Sequence, residues 1–431
     1  MLLWHKLSDL VPKNWANHFW GSSKFSNRWQ ASRCAIDLNR RWIDSVCSGE
    51  CRARGDDLLI PMEQQCVRMQ TDDQLPIGSQ QGIRGFASGS CCVLVQRSCS
   101  LRLQFSLVTA SCFAAFYEEQ YERLKAKLRQ RAENGAVLTW KLGKNPYFKG
   151  ASEAALKRLL GVKKHDVVVL PPKVPSAENS NVTLPKNFDA RLQWPKCEII
   201  RYIKDQSNCG SCWAVSTASV ISDRYCIANQ GRAQPFLSEE ELVSCCRVCG
   251  DGCFGGFPEM ALVYWATRGV PTGEPYGFNS SCKPYSIKPC ATCPSIAETP
   301  KCQHQCVEGY RGKLSTDRYF GKRAYSLSNE RQIMEDIYAN GPVVAAFTVY
   351  DDFYYYTGGV YSHSEWVDPA GRHAVRVIGW GVDEKSKKPY WLVANSWSEE
   401  FGENGLFRIL RGSNECGIEE EMVAAQPRLP S

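Results

Sequence analysis

Apolar and polar positions change rhythm three times along this chain. Residues 1–100 show no sustained period, so no element can be placed there. "LRLQFSLVTASCFAA" (101–115) sets a basic residue ahead of an apolar core and ends in small residues, the pattern of a secretory signal. It stands far from residue 1. Either translation starts near it and the front is a gene-model artefact, or the front is a genuine extension; a buried strand or helix is the alternative for the apolar run itself. "FYEEQYERLKAKLRQRAENG" (116–135) then reads as a helix with acids early and bases late, as the helix dipole favours. "SEAALKRLLG" (152–161) is a second, shorter helix. "LPPKVPSAENSNVT" (170–183) reads as an exposed linker suited to proteolytic cutting.

After Leu184 the texture becomes dense. "CWAVSTASVISDRYCIAN" has helical spacing. "SEEELVSCC" opens with Ser238 and places Glu241 three later, a capping box. "NERQIMEDIYANGP" is a helix stopped by Gly341 and Pro342. The last hundred residues switch to strands: "VVAAFTVY", "HAVRVIGWGV", "PYWLVANSW" and "GLFRILRG". Helices first and strands later predict an α+β chain with two packed subdomains and a cleft between them.

Composition sharpens this. The 22 cysteines among 431 residues fit an oxidising compartment and a disulfide framework. No apolar run is long enough to span a membrane, so no transmembrane segment is expected. Residues 184–431 carry 26 Lys+Arg against 29 Asp+Glu, and residues 1–183 carry 26 against 16. A basic front on an acidic back suggests a masking segment docked on a catalytic domain; two unrelated solvated surfaces would give the same count. The basic residues lie on helical patterns without a recognition motif, so nucleic acid is not an expected partner.

The chemistry centres on "DQSNCGSCWA" (205–214). Cys209 and Cys212 form a C-x-x-C that reads either as a redox pair or as a structural cysteine beside a nucleophile. Cys212 falls where a helix begins, which favours a thiolate. Of six histidines, His373 in "GRHAVRVIGWG" starts a strand, and Asn395 follows in "YWLVANSW". Together they make an acyl-transfer set. Cys212 attacks a carbonyl, His373 carries the proton, Asn395 orients the imidazole, and Gln206 with the Cys212 backbone N–H donates to the oxyanion. Trp397 would shield the Asn–His bond from water. A zinc site in "CCRVCGDGC" is the alternative for that cluster, but it lacks a matched second pair.

These residues resemble the papain family of cysteine proteases, and within it the cathepsin B group, from about Trp140 to Pro427. "QSNCGSCWA", "HAVRVIGWG" and "YWLVANSWSEEFGENGLFRILRG" resemble the family's nucleophile, histidine and asparagine blocks. "CCRVCGDGCFGG" and "CKPYSIKPC…TPKCQHQC" resemble cathepsin B-type cysteine patterns. "WKLGKNPYF" and "LKRLLG" resemble its short propeptide, which lies along the cleft and blocks it. Leu184 resembles the mature N-terminus. The resemblance thus implies a papain-like fold, with a helical left part and a β-barrel-like right part. It divides the chain into an unassigned extension (1–100), a signal-like segment (101–115), propeptide and linker (116–183) and peptidase domain (184–431). It resolves the C-x-x-C by pairing Cys209 with Cys253 and leaving Cys212 free. It further implies Cys197–Cys226, Cys245–Cys302, Cys246–Cys249, Cys282–Cys306 and Cys290–Cys293, with Cys416 a buried free thiol. No metal and no cofactor are implied.

Further roles follow from the same resemblance. Gly255 and Gly256 match a glycine pair that binds extended substrate backbone, though an ordinary turn would also use them. Glu421 stands where cathepsin B has an acid at the base of its second subsite, able to pair with a substrate Arg; a solvated run of three glutamates is the alternative. Three departures stand out. Only Ala291 and Thr292 separate Cys290 from Cys293, where cathepsin B carries a longer occluding loop with two histidines, and a bridge across so short a span is expected to be strained. His304 lies outside that span. Arg372 replaces the usual Gly before the histidine, either perturbing its protonation or leaning into solvent. Phe401 replaces a Trp, in a block that also resembles haemoglobin-degrading proteases of blood-feeding worms.

The expected function is a cysteine endopeptidase made as a zymogen, with little dipeptidyl carboxypeptidase activity, in an endolysosomal or secreted setting. Its partners would be protein and peptide substrates, its own propeptide as inhibitor, and cystatin-type inhibitors. Low pH would assist activation by loosening charge pairing between propeptide and peptidase domain. Asn181 and Asn279 fit the glycosylation pattern. A non-catalytic cathepsin B-like matrix or adhesion protein is the alternative.

Overall fold

The structure is a computed structural model that describes five strand segments between Arg33 and Gln70, then residues 116–135, 137–164, 170–174, 182–290, 292–293 and 295–430. The signal-like segment 101–115, His5, His18, His165, Asn181 and Ala291 lie outside the described residues. The chain divides into two units, Met1–Val108 and Thr109–Ser431. In the first, β1 (Arg33–Ile36) pairs antiparallel with β2 (Trp42–Val46), and β3 (Ala53–Arg54), β4 (Asp57–Met62) and β5 (Gln65–Gln70) form an antiparallel sheet. Strands of two to six residues are too short to leave a period in the sequence, which is why none could be read there.

The second unit opens with α1 (Phe116–Glu133), whose Tyr117 and Leu124 are buried while its charged residues face outward. Next come β6 (Trp140–Leu142) and α2 (Glu153–Arg158), with Ser152 Oγ capping α2 by accepting from Ala155 N at 3.2 Å. The segment 170–174, expected to be an exposed linker, is partly docked. Leu170 is buried, Lys173 N donates to Ser326 O, and Lys173 Nζ pairs with Asp336 at 2.7 Å. Its prolines prevent a regular strand but leave the Lys173 N–H free to extend the sheet edge.

Beyond residue 184 come β7 (Phe188–Asp189), α3 (Ala190–Gln193), α4 (Cys212–Ala228), α5 (Glu239–Cys245) and α6 (Pro258–Arg268). They are followed by β8 (Phe320–Leu327), α7 (Glu330–Asn340), β9 (Val343–Tyr350), β10 (Tyr356–Tyr361), β11 (Pro369–Val382), β12 (Pro389–Ala394), β13 (Leu406–Leu410) and β14 (Met422–Arg428). The sheet runs β6-β10-β13-β12-β11-β9-β14-β8, with β7 added on β11; only β10–β13 is parallel. It is an open mixed sheet, not the closed barrel that a β-barrel-like right part suggests, because β6 and β8 end the path without pairing each other. The helical part and its helices agree with the papain-like expectation.

Two apolar cores meet along α4, which is buried from Cys212 to Cys226, its Asp223 and Arg224 paired with Arg376 and Asp336. One core packs Trp213 against α5 and α6 through Leu242, Val243, Leu262 and Trp265. The other covers the sheet and takes in Tyr117, Trp140 and Phe148 from the leading segment. Tyr117 stacks on Tyr355 at 4.6 Å, and Phe148 meets Trp397 edge-on at 5.3 Å. Asn145 ties the segment down by donating to Tyr354 O and Tyr356 O. The predicted capping box is half formed. Ser238 Oγ accepts from Glu241 N at 2.9 Å, but the Glu241 carboxylate turns to Lys283, Arg318 and Tyr264, where two cations reward it more than one N–H would.

Candidate active site

Cys212 is the first residue of α4, and His373 lies early in β11, opposite Phe347 of β9. Asn395 follows β12 directly. The fold therefore brings Cys212, His373, Asn395 and Gln206 to the seam between the two cores, all of them buried.

The imidazole geometry fixes its tautomer. His373 Nε2 lies 2.7 Å from Asn395 Oδ1, and Ser396 N donates to that same oxygen at 2.8 Å. The oxygen is therefore an acceptor twice over, Nε2 carries the hydrogen, and Nδ1 keeps its lone pair. Nδ1 makes no hydrogen bond of good geometry, although the Leu159 backbone lies close enough to favour the protonated ring. Trp397 stacks on the ring at 4.6 Å and is wholly buried, so it walls the Asn395–His373 bond from water. Phe401 fills the position of the usual Trp and packs edge-on against Trp397 at 5.0 Å.

The leading segment occupies the site. Gly161 N donates to Cys212 Sγ at 3.2 Å. A Cβ on Gly161 would lie 1.8 Å from Gly210 O, so only glycine fits there. Gly256 N donates to Gly161 O at 2.9 Å, Lys163 N to Gly256 O at 3.0 Å, and Val162 N to Arg372 O at 3.1 Å. Gly256 thus binds extended backbone, and a Cβ on it would strike Trp213 and Cys249 O. Gln206 Nε2 donates to Leu159 O and Cys209 O, each at 2.9 Å, while its Oε1 accepts from Ser396 Oγ at 2.7 Å. A carbonyl of the leading segment therefore sits on the donor assigned to an oxyanion.

This plug reverses the electrostatics expected at a helix N-terminus. Burial pushes the Cys212 thiol up to about 11, outweighing backbone N–H groups of Ala374, Gly161, Trp213 and Cys212 itself. Burial likewise pushes the His373 imidazole down to about 4, against the Asn395 bond and the Leu159 backbone, which raise it. Both groups are neutral around pH 7. The thiolate read from the sequence is absent here because removing water outweighs the helix dipole.

The six pairs implied by the resemblance are the six disulfides among the described residues: Cys197–Cys226, Cys209–Cys253, Cys245–Cys302, Cys246–Cys249, Cys282–Cys306 and Cys290–Cys293. Cys212 and Cys416 are free. The Cα atoms of Cys290 and Cys293 are 5.6 Å apart, inside the usual span of about 4.4–6.8 Å, so two intervening residues close the bridge without pulling the backbone together. Arg158 of α2 donates to Cys293 O at 2.9 Å, so this short loop abuts the leading segment. Asn279 and His304 are exposed.

Glu421 is not a free acid. Its carboxylate pairs with Arg372, which neither points idly into solvent nor approaches His373 as a hydrogen-bond partner. The sequence reading missed Ser396, which aligns Asn395 and Gln206 together; its place beside Asn395 in "NSW" was the available signal. It included Leu159 and Gly161 in the blocking propeptide through "LKRLLG" but singled out neither. Outside the site, Glu415 accepts from His363 and from the Cys416 thiol, leaving that thiol buried and hydrogen-bonded.

Sequence comparison places this geometry in a family. The model of the papain family cysteine proteases matches residues 184–426, and the chain belongs to that family. Its relatives are cathepsin B-like. It is 46% identical over 292 residues to "Cathepsin B-like cysteine proteinase 1" of Ostertagia ostertagi, covering 65% of this chain and 82% of the relative. It is 47% identical over 251 residues to a "Gut-specific cysteine proteinase" of Caenorhabditis elegans, covering 57% and 75%. Among solved structures, procathepsin B S9 from Trypanosoma congolense superposes with a TM-score of 0.62 at 39% identity, covering 70% of this chain and 97% of that one. The chain is a cathepsin B-like cysteine proteinase in its zymogen form. No helix among the described residues is long and apolar enough to cross a membrane.

Proposed function

We propose that the chain is a cysteine endopeptidase held inactive by residues 116–183 and released by cleavage in the linker before Leu184. Residues 184–431 form the peptidase domain. The observation that carries this reading is the segment 159–163, which leaves α2 at Leu159 with that residue's carbonyl on Gln206, crosses Cys212 at Gly161 and pairs with Gly256 at Val162.

Removing the segment readmits water. The burial penalties on Cys212 and His373 then fall, the thiol pKa drops, the imidazole pKa rises, and the proton passes from sulfur to Nδ1. The thiolate attacks the scissile carbonyl carbon, and the oxyanion accepts from Gln206 Nε2. His373 returns the proton to the departing amine as the C–N bond breaks, leaving a thioester on Cys212. Water, deprotonated by His373, hydrolyses the thioester and restores the thiol. Asn395 holds the ring throughout. No cofactor or metal enters these steps.

Two residues between Cys290 and Cys293 are too few to cap the primed side of the cleft, which supports endopeptidase action over dipeptide trimming. The six disulfides and the exposed Asn279 suit an endolysosomal or secreted setting. Acid is a poor lever on Lys173–Asp336. Burial alone would raise the Asp336 pKa, but Arg224 and Lys173 hold it below the usual carboxylate value, so the pair persists into strongly acidic solution. Of the two ion pairs described between leading segment and peptidase domain, Lys163–Asp251 is the exposed one that salt would loosen.

The test uses chain processed to Leu184 with Cys212→Ala as control. A quenched peptide blocked at both ends is compared with the same core bearing a free C-terminal dipeptide. Cleavage of the blocked peptide, lost in the control, supports the proposal. Preferred dipeptide release would overturn the open-cleft reading. No turnover with an intact Cys212 thiol would favour a non-catalytic relative.

A further inference from the structure

We propose that Arg372 is a specificity residue: by pairing with Glu421 it cancels the one acid that reaches the chain lying in the cleft, so the adjoining subsite selects apolar over basic side chains. The inference rests on the reading of Cys212 as nucleophile.

The plug marks where an extended chain lies. Gly161 is against Cys212, and the next residue, Val162, is held between Gly256 on one side and Arg372 O on the other. A chain lying at the level of Val162 is therefore flanked by Arg372, and its partner Glu421 is the acid that the resemblance assigns to the second subsite.

Strand register explains why Arg372 meets Glu421. The strands lie in the order β11, β9, β14. Arg372 is opposite Thr348 of β9, and Ala346 of β9 donates to Glu421 O. Thr348 and Ala346 are two apart and share a face, so Arg372 and Glu421 project from that face across two strand spacings and two residues along the strand, about 12 Å in all. An arginine and a glutamate bridge that gap; a glycine at 372 leaves the acid unpaired. The other two acids of "IEEEM" are committed elsewhere. Glu419 accepts from Trp391 Nε1 and Gly412 N, and Glu420 from Asn414 Nδ2. Only Glu421 is available to a cleft ligand, and Arg372 holds it.

The chemical consequence is direct. An incoming guanidinium finds a pair of net charge zero and must displace Arg372, whose own chain tethers it at high effective concentration. An apolar side chain displaces nothing and packs on the Arg372 stem.

The test measures kcat/KM of the processed enzyme on peptides identical except for Leu, Arg or Glu at the second position before the scissile bond. The parent enzyme, Arg372→Ala, Glu421→Gln and the double variant are compared, each normalised to titrated Cys212 thiol. The expected Leu-over-Arg ratio for the parent is about tenfold or more, and Arg372→Ala shifts it toward Arg by about tenfold. Glu421→Gln improves cleavage of the Glu peptide, and the double variant loses the gain with Arg. Higher salt erases the Arg gain in Arg372→Ala, which a change of packing alone would not. A parent that cleaves Arg and Leu equally, or an unchanged ratio in Arg372→Ala, overturns the proposal while leaving the catalytic reading intact. No cleavage of any peptide overturns both.

Discussion

Replacing Gly161 by alanine should unlatch the zymogen. The new Cβ would lie 1.8 Å from Gly210 O and 2.4 Å from Gly210 C, both backbone atoms that cannot swing aside. An ordinary carbon–oxygen contact is about 3.3 Å, so the segment must retreat by about 1.5 Å. A retreat of that size breaks the bonds Gly161 N–Cys212 Sγ and Gly256 N–Gly161 O. Overpacking and two lost hydrogen bonds together cost roughly 3–4 kcal/mol, a factor of about 10²–10³ in the opening equilibrium. The assay is alkylation of the unprocessed chain at pH 7, with the labelled cysteine located by peptide mass. In the parent, Cys212 is fully buried and neutral, so labelling waits on opening. The Gly161→Ala chain should label at Cys212 about a hundred times faster or more, while Cys416 labelling stays unchanged. Equal rates at Cys212 in the two chains would refute the reasoning that this segment is the lock.

Three further outcomes are expected. Asn395→Ala should lower kcat of the processed enzyme about a hundredfold with little change in KM, because the ring loses its only Nε2 acceptor; peptide kinetics check it. In a Cys212→Ala zymogen, where no thiolate compensates, His373 is held at about 4 while plugged and returns toward about 6.5 when released. The released state then binds the proton first, so plugging is complete above the imidazole's ordinary value and weakens by up to about tenfold per unit as pH falls from there toward 4; hydrogen exchange of residues 159–163 against pH reads it, and a flat profile contradicts it. Lys173→Ala should leave Asp336 with Arg224, Tyr325 and Asn340 and expose the linker to limited proteolysis about tenfold faster, since a partly buried charge-assisted bond is worth about 1.5 kcal/mol.

What could be read from the sequence depended on how local the signal was. Asn329 accepting from Gln332 N and Gly341 at a φ of 95° bound α7 where "NERQIMEDIYANGP" placed it, because caps act over one turn. The long strands β9 and β11 were visible as apolar runs. The Cys212, His373, Asn395 and Gln206 set was legible because each sits in a short block of distinctive residue types. Burial was not legible: Cys212 and His373 are covered by a segment about fifty residues before the first and more than two hundred before the second. Nor was the Arg372–Glu421 pair, since its partners are 49 positions apart and meet only through the β11-β9-β14 order. The linker's Lys173 looked solvated because nothing nearby in sequence announces Asp336, and the barrel-like expectation came from the resemblance, since the strand pattern says nothing about whether the ends meet.

The most direct measurement of the central claim is rapid acid quench of the processed enzyme turning over a peptide ester, with mass mapping of the trapped adduct. The expected result is an acyl group on the Cys212 peptide, carried as a thioester and absent in Cys212→Ser and His373→Ala chains. Continued turnover with no adduct on Cys212, or an adduct on Cys416 instead, would contradict the assignment of the nucleophile and with it the mechanism built on this site.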